Sequence, residues 1–398
     1  MNIIKKTYCR VFQTVMRISI PLLPYREPAL LERMGEVAET LKNKNIKRVM
    51  LVTGPTVRRI GLTAPLEDIL QANEIECTVF CGTQANPTDE NVEEALALYY
   101  ENNCQGIIAF GGGSPMDCAK ALGARIARPK KPLSKMQGLL KICRKIPTLI
   151  AVPTTAGTGS EVTVASVITD ANTHHKYVIS DFCLIPEYAV MSPEVTVGLS
   201  PYLTATTGMD ALTHAIEAYI GRSRTKKTKA AAEKSAKLIF ENLESAYNDG
   251  SNLEARRNML HASYLAGVAF TKSYVGYIHA VAHTIGGKYG VAHGLANAIL
   301  LPRVLRAYGS HAEDRLAELA YAVGLVNADV ENKIAAETLI SHIEGMNARM
   351  HIPENFDCII DSDIREMSKL ADREANPLYP VPVLWNAHEL EEIYKAVK

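Results

Sequence analysis

GIIAFGGGSPMDCAK, residues 106–120, is the stretch that decides the fold. Residues 106–110 are a continuous apolar run, which reads as a strand buried on both faces. Gly111, Gly112 and Gly113 follow, and then a helix start: Ser114 as N-cap, Pro115 at the first helical position and Asp117 completing a capping box. Strand, glycine turn and helix N-terminus in that order aim backbone N–H groups at the turn, the arrangement that holds a pyrophosphate. A tight, well-capped turn with no ligand reads the same way, and G-x-G-x-x-G is not written here, so this loop alone does not establish a nucleotide site.

Outward from that point the first half of the chain alternates. Apolar runs at 49–53 (VMLVT), 77–80 and 149–152 flank the central one, and helical stretches at 28–42 and 90–101 lie between them. The pattern predicts a parallel sheet covered on both faces. A hairpin is expected from 164–169 to 177–180 across the polar turn 170–175. After the run at 149–152 comes PTTAGTGSE (153–161), a second loop rich in glycine and hydroxyls at a strand's C-terminal end, where open α/β sheets bind ligands. Two such loops after successive strands point to a nucleotide site. From residue 199 amphipathic helices take over, at 202–220, 226–246, 253–271, 311–323 and 333–343. The expected architecture is an α/β dinucleotide-binding domain with a parallel sheet over 1–198, beginning with a basic leader (1–27), and an all-α metal-binding catalytic domain over 199–398.

At 398 residues the chain is too long for one ordinary core. Its 43 basic and 43 acidic residues give no nucleic-acid footprint. The eight cysteines show no C-x-x-C pair and no disulfide framework, which suits a reducing cytoplasm. The leader carries Lys5, Lys6, Arg10, Arg17 and Arg26 without an acid. Its apolar stretch 11–23 is interrupted by Arg17 and Pro21, which argues against a signal peptide or a membrane span. It reads as an amphipathic segment docking on the body or on a neighbouring subunit.

Chemistry concentrates in the second half. Asp210 and His214 stand one turn apart on one helix face, and His279 and His283 repeat that spacing. Gly286, Gly287 and Gly290 are expected to break the second helix before the chain returns with His293. A carboxylate and three imidazoles make a mixed oxygen/nitrogen site for a divalent transition metal with room for a substrate oxygen. A lone histidine is more often an ordinary surface or core group, and His174, His175, His261, His311, His342, His351 and His388 are read so.

GGGSPMDCAK (111–120), PTTAGTGSEVT (153–163), GMDALTHAIEAY (208–219) and HAVAHTIGGKYGVAHGLANAILLP (279–302) together closely resemble the signatures of the iron-dependent (group III) alcohol dehydrogenase family. Lactaldehyde reductase, 1,3-propanediol dehydrogenase and butanol dehydrogenases belong there, and the resemblance spans about residues 25–398. It implies an NAD(P)-linked enzyme that interconverts primary alcohols and aldehydes by hydride transfer, acting as an aldehyde reductase and forming a homodimer or larger homo-oligomer. It implies Asp210, His214, His279 and His293 as metal ligands, His283 as a proton-relay residue and Phe270 as a pocket wall. Gly112, Gly113, Ser114, Asp117, Thr154, Thr155 and Lys176 fall at cofactor positions. The metal implied is Fe(II), which Zn(II) can displace in purified protein. Two departures stand out. Thr53-Gly54-Pro55 lacks the ribose-binding aspartate that many members carry, and Arg58 and Arg59 follow, which favours NADP(H) over NAD(H). Ala292 replaces the usual proline before His293. The rival readings are a hydroxyacid–oxoacid transhydrogenase and a lyase resembling dehydroquinate synthase.

Overall fold

The computed structural model describes residues 1–19, 23–173 and 175–398. Pro21 and His174 lie outside the described residues. The chain divides into two units, Pro24–Gly198 and Met1–Leu23 together with Leu199–Lys398.

The first unit is built on a six-stranded, all-parallel sheet. Its strands are β1 (Ala29–Leu31), β2 (Arg48–Val52), β3 (Glu76–Phe80), β4 (Gly106–Gly111), β6 (Thr148–Pro153) and β9 (Tyr188–Val190), in the order β1-β9-β6-β4-β2-β3. The short β5 (Gly138–Leu139) pairs with the hairpin of β7 (Ala165–Thr169) and β8 (Lys176–Ser180) in a separate three-stranded sheet. Alternation along β2 serves two cores. Met50 and Val52 face α5 (Asp89–Glu101) and α6 (Gly113–Ala127), while Val49 and Leu51 face α2 (Glu36–Asn43) and α4 (Ala64–Ala72). This double burial is why the strands read as unbroken apolar runs. The short α3 (Pro55–Arg59) follows β2 directly. The chain leaves β2 toward β3 and crosses back to β4 on the other side of β2. The carboxyl ends of β2 and β4 therefore flank the topological switch point, where such sheets bind ligands.

Three expectations are corrected here. Residues 28–42 are not one helix: Ala29–Leu31 form edge strand β1, held by Ala29 N–H to Glu187 O (2.9 Å) and Met191 N–H to Leu31 O (2.7 Å), and α2 begins only at Glu36. Ser114 is not the N-cap, because Gly112 is extended in that role and α6 starts at Gly113. Gly111 makes this early entry possible: its φ of +153° brings it over the ring of Pro115, where a Cβ would stand 2.5 Å from Cγ. Finally, Met1–Leu23 cluster with the helical unit, not with the α/β unit that the boundary 1–198 implied.

The second unit comprises α1 (Ile3–Ser19), α7 (Pro201–Ile220), α8 (Lys226–Asn248), α9 (Leu253–Ser273), α10 (Tyr277–Tyr289), α11 (His293–Tyr308), α12 (Glu313–Val323), α13 (Asn332–Arg349), α14 (Asp361–Ala375) and α15 (Ala387–Ala396). Helix α7 is buried nearly all round, so its polar residues must find partners inside the unit. No helix among the described residues is long and apolar enough to cross a membrane. Gly286 and Gly287 do not break α10, which runs on to Tyr289 and ends at Gly290 in the left-handed conformation, φ +70°.

Candidate metal centre and nucleotide loops

Asp210 and His214 project from α7, His279 from the first turn of α10 and His293 from the start of α11. Each offers one ligand atom, and the four lie within 4.8 Å of one another. Asp210 Oδ1 stands 3.4 Å from His293 Nε2, 3.7 Å from His279 Nε2 and 3.9 Å from His214 Nδ1. Asp210, His214 and His279 are buried, whereas the His293 side chain is 40 % exposed, so the cluster has a closed floor and one open side. Gly294 lets α11 approach: a Cβ there would lie 2.4 Å from the carbonyl oxygen of Thr206 on α7.

The second layer was not foreseen. Glu217, buried on α7, accepts from Gly276 N–H (2.8 Å) and Ile278 N–H (2.8 Å), capping α10, and from His279 Nδ1 (2.6 Å). One carboxylate thus starts the helix and fixes the tautomer of the imidazole it carries, leaving Nε2 to face Asp210. Gly276 makes room for it, since a Cβ there would stand 2.7 Å from Glu217 Oε1. Asn297, one turn after His293, donates Nδ2 to Asp210 Oδ1 (2.7 Å) and lies 3.2 Å from His279 Nε2 and 3.1 Å from His293 Nε2. Asn297 Nδ2 therefore sits among three of the four candidate ligands. The electrostatics agree. Burial opposes ionisation of Asp210, but His214, His293 and His279 outweigh it and hold its carboxyl far below the usual range. Burial pulls His279 down, but Glu217 and Asp210 lift it to about 9. A carboxylate, three imidazoles and a buried orienting carboxylate fit a divalent cation.

His283 lies beside this cluster. Its ring stacks on that of His293, with centroids 5.2 Å apart, and its Nδ1 is 2.6 Å from Glu374 Oε1, which also accepts from Tyr379 OH (2.8 Å). Burial raises the Glu374 carboxyl, but the His283 charge and the bonds from His283 and Tyr379 leave it below the usual value. Phe270 stacks on His214 with centroids 4.2 Å apart and closes the cluster on that side.

In the α/β unit, Gly112, Gly113, Ser114, Thr154 and Thr155 come together at the ends of β4 and β6. Thr154 N–H donates to Gly111 O (3.0 Å), and a Cβ on Gly112 would lie 3.2 Å from Thr155 Oγ1. Gly54 follows the neighbouring β2. This glycine-lined rim beside a helix N-terminus fits a pyrophosphate. Asp117 joins α6 to the second loop, its Oδ1 accepting from Ser160 Oγ (3.3 Å). There the buried ammonium of Lys120 donates to Thr163 Oγ1 (2.8 Å), Ala165 O (2.9 Å), Thr163 O (3.0 Å) and Ser160 Oγ (3.1 Å), pinning the second loop to α6. Burial pushes Asp117 up and Lys120 down, and each charge pulls the other back. Lys176 lies on β8, its ammonium donating to Asn86 Oδ1 (2.8 Å). Arg58 is engaged by Glu67 and by Thr63 Oγ1 (3.0 Å).

Comparison with known proteins agrees with this geometry. Residues 31–193 match the family model for iron-containing alcohol dehydrogenase, and residues 204–398 match the C-terminal model of the Fe-containing alcohol dehydrogenase family. The chain is 36 % identical over 380 residues to the 1,3-propanediol dehydrogenase of Klebsiella pneumoniae, covering 94 % of this chain and 97 % of that one. A solved 1,3-propanediol oxidoreductase superposes with a TM-score of 0.90 at 34 % identity, over 94 % of this chain and 99 % of the other. The sulfoacetaldehyde reductase of Bifidobacterium kashiwanohense, solved in complex with NAD+, gives 0.83 at 26 % identity, over 94 % and 98 %. Nothing among these relatives favours the transhydrogenase or the lyase, and the chain belongs to the iron-containing alcohol dehydrogenase family.

Proposed function

We propose that the protein reduces aldehydes to primary alcohols with NADP(H), on a divalent metal held by Asp210, His214, His279 and His293. The observation that carries this reading is the convergence of those four side chains, with Glu217 behind His279. When bound, the metal, taken to be Fe(II), supplies Lewis acidity toward the substrate oxygen, and the nicotinamide exchanges hydride with the carbon.

The chain's own residues do the rest. Gly112, Gly113 and Ser114 present backbone N–H groups to the pyrophosphate, and Thr154 and Thr155 brace the loop beside them. Lys176 is read as a ribose contact. Phe270 gives the substrate an apolar wall. With Nδ1 held by Glu374, His283 has Nε2 available to donate a proton to the nascent alcohol oxygen, and Tyr379 steadies Glu374 from the other side. His283→Ala is expected to keep its metal and to lower kcat up to about a hundredfold, because a side chain 43 % exposed leaves water a partial route. Unchanged kcat at full metal content would remove His283 from the mechanism.

The NADP(H) preference rests on Gly54 and Arg59, since Arg58 is committed to Glu67. An aspartate fits at position 54, where a Cβ would meet only Thr83 O at 3.4 Å. Gly54→Asp is expected to shift the kcat/KM ratio toward NADH by about tenfold or more, the value of one hydrogen bond to a charged group. An unchanged ratio refutes this reading of the position. The proposed setting is the cytoplasm and the proposed assembly a homodimer or larger homo-oligomer, which sedimentation equilibrium tests. The primary experiment is anaerobic reconstitution with Fe(II), then aldehyde-dependent oxidation of NADPH and NADH compared side by side. Faster consumption of NADPH is expected, and no oxidation of either overturns the assignment.

A further inference from the structure

Helix α1 is amphipathic, but it is mounted inside out. Two polar residues at its centre face the protein: Gln13 is buried with Nε2 on Tyr379 O (2.7 Å) and Pro377 O (3.1 Å), and Arg10 donates to Val381 O (2.8 Å) and Pro382 O (2.9 Å). Apart from buried Cys9 and half-buried Phe12 and Met16, its apolar residues face outward. Ile4, Tyr8, Val11, Val15 and Ile18 are 57–78 % exposed, and their spacing of four, three, four and three places them in one stripe. A surface helix ordinarily does the reverse, and a contiguous exposed apolar ridge marks an interaction surface. The helix also lies ahead of residue 31, where the family match begins, so the shared catalytic body does not account for it.

Charge identifies what covers the ridge. A groove of about 640 Å³ runs along its flank, walled by Val11 and Val15 with Lys6, Arg10, Arg222 and His311, and no carboxylate lines it. Arg10 is pulled down to about 10 by burial and then by the charge of Arg222, as expected where cations crowd together. Residues 1–26 contain five cations and no acid. Helix α1 carries no acid, and the nearby Asp372 and Glu389 are already paired with Lys5 and the N-terminal ammonium, so a second copy of α1 would bring positive charge against the first. An anionic surface that also accepts apolar side chains matches both features.

We propose that α1 docks this protein on the surface of an anionic phospholipid bilayer. The stripe from Ile4 to Ile18 enters the acyl boundary, and Lys6 and Arg222 meet headgroup phosphates. Docking of this kind needs no spanning helix, and there is none among the described residues. The inference does not depend on the metal or the cofactor.

Flotation of the full-length protein with vesicles tests it. The protein is expected to float with vesicles containing phosphatidylglycerol, to stay behind with phosphatidylcholine alone, and to lose binding at high salt. The double variant Val11→Asp, Val15→Asp should bind at least about tenfold more weakly, and Lys6→Gln, Arg222→Gln about tenfold. Both should keep the parent's melting temperature and turnover of a soluble aldehyde, which shows that they fold. The proposal is overturned if the parent floats with neither vesicle or equally with both, or if the aspartate variant floats like the parent. It is also overturned if the parent forms, without lipid, an oligomer that the aspartate variant dissociates, since the ridge then belongs to a second copy.

Discussion

His279→Ala is expected to lose its metal and its turnover together, with kcat/KM falling about a thousandfold or more, because several kcal/mol of charge stabilisation go with the ion. His279 is the buried hinge of the centre. Its Nε2 lies 3.7 Å from Asp210 Oδ1 and its Nδ1 2.6 Å from Glu217 Oε2. Alanine removes one ligand and leaves Glu217 with only the two α10 N–H groups as partners, so about 1–3 kcal/mol of stability should also be lost. Metal content, melting temperature and kcat/KM after Fe(II) reconstitution separate the two effects. A folded variant with full metal and parental turnover would sink the proposed ligand set.

That Asp210 and His214 share a helix face was legible from their spacing of four, whatever the rest of the fold does, whereas the choice of His279 and His293 over His283 came from the family resemblance and not from spacing. The buried strands were legible for a similar local reason: a run such as that of β4 is apolar on both faces. What could not be read depended on distant partners. Three-residue β1 exists only through its pairing with β9, about 160 positions later, and nothing local separates it from the helix that follows. Ser114 carried the composition of an N-cap, yet the entry to α6 was set by the close approach of Gly111 to Pro115. Asn297, Glu374 and Lys120 are polar residues within otherwise ordinary helices. Of these, only Asn297 carried a local signal, its position one turn beyond His293. The leader was read as basic and amphipathic, but which of its faces would be buried depended on carbonyls at 377–382.

Glu217→Gln should cost about a hundredfold in metal affinity, with turnover falling in step, although it alters neither volume nor any ligand. The reason is the count of donors. Glu217 receives three: Gly276 N–H and His279 Nδ1–H on Oε2, and Ile278 N–H on Oε1. An amide has only one acceptor oxygen. Turned toward Gly276 and His279, it sets its NH2 against the N–H of Ile278. Turned the other way, it sets the NH2 against Gly276 and donates to His279 Nδ1, which moves the imidazole proton to Nε2 and blocks the atom that faces Asp210. Either orientation misplaces a donor in a buried site, and the second removes a ligand outright. A role in capping α10 alone would lower the melting temperature and leave the metal affinity of the folded protein unchanged. Chelator competition on the folded variant distinguishes the two, and parental affinity beside a lowered melting temperature would reduce Glu217 to a helix cap.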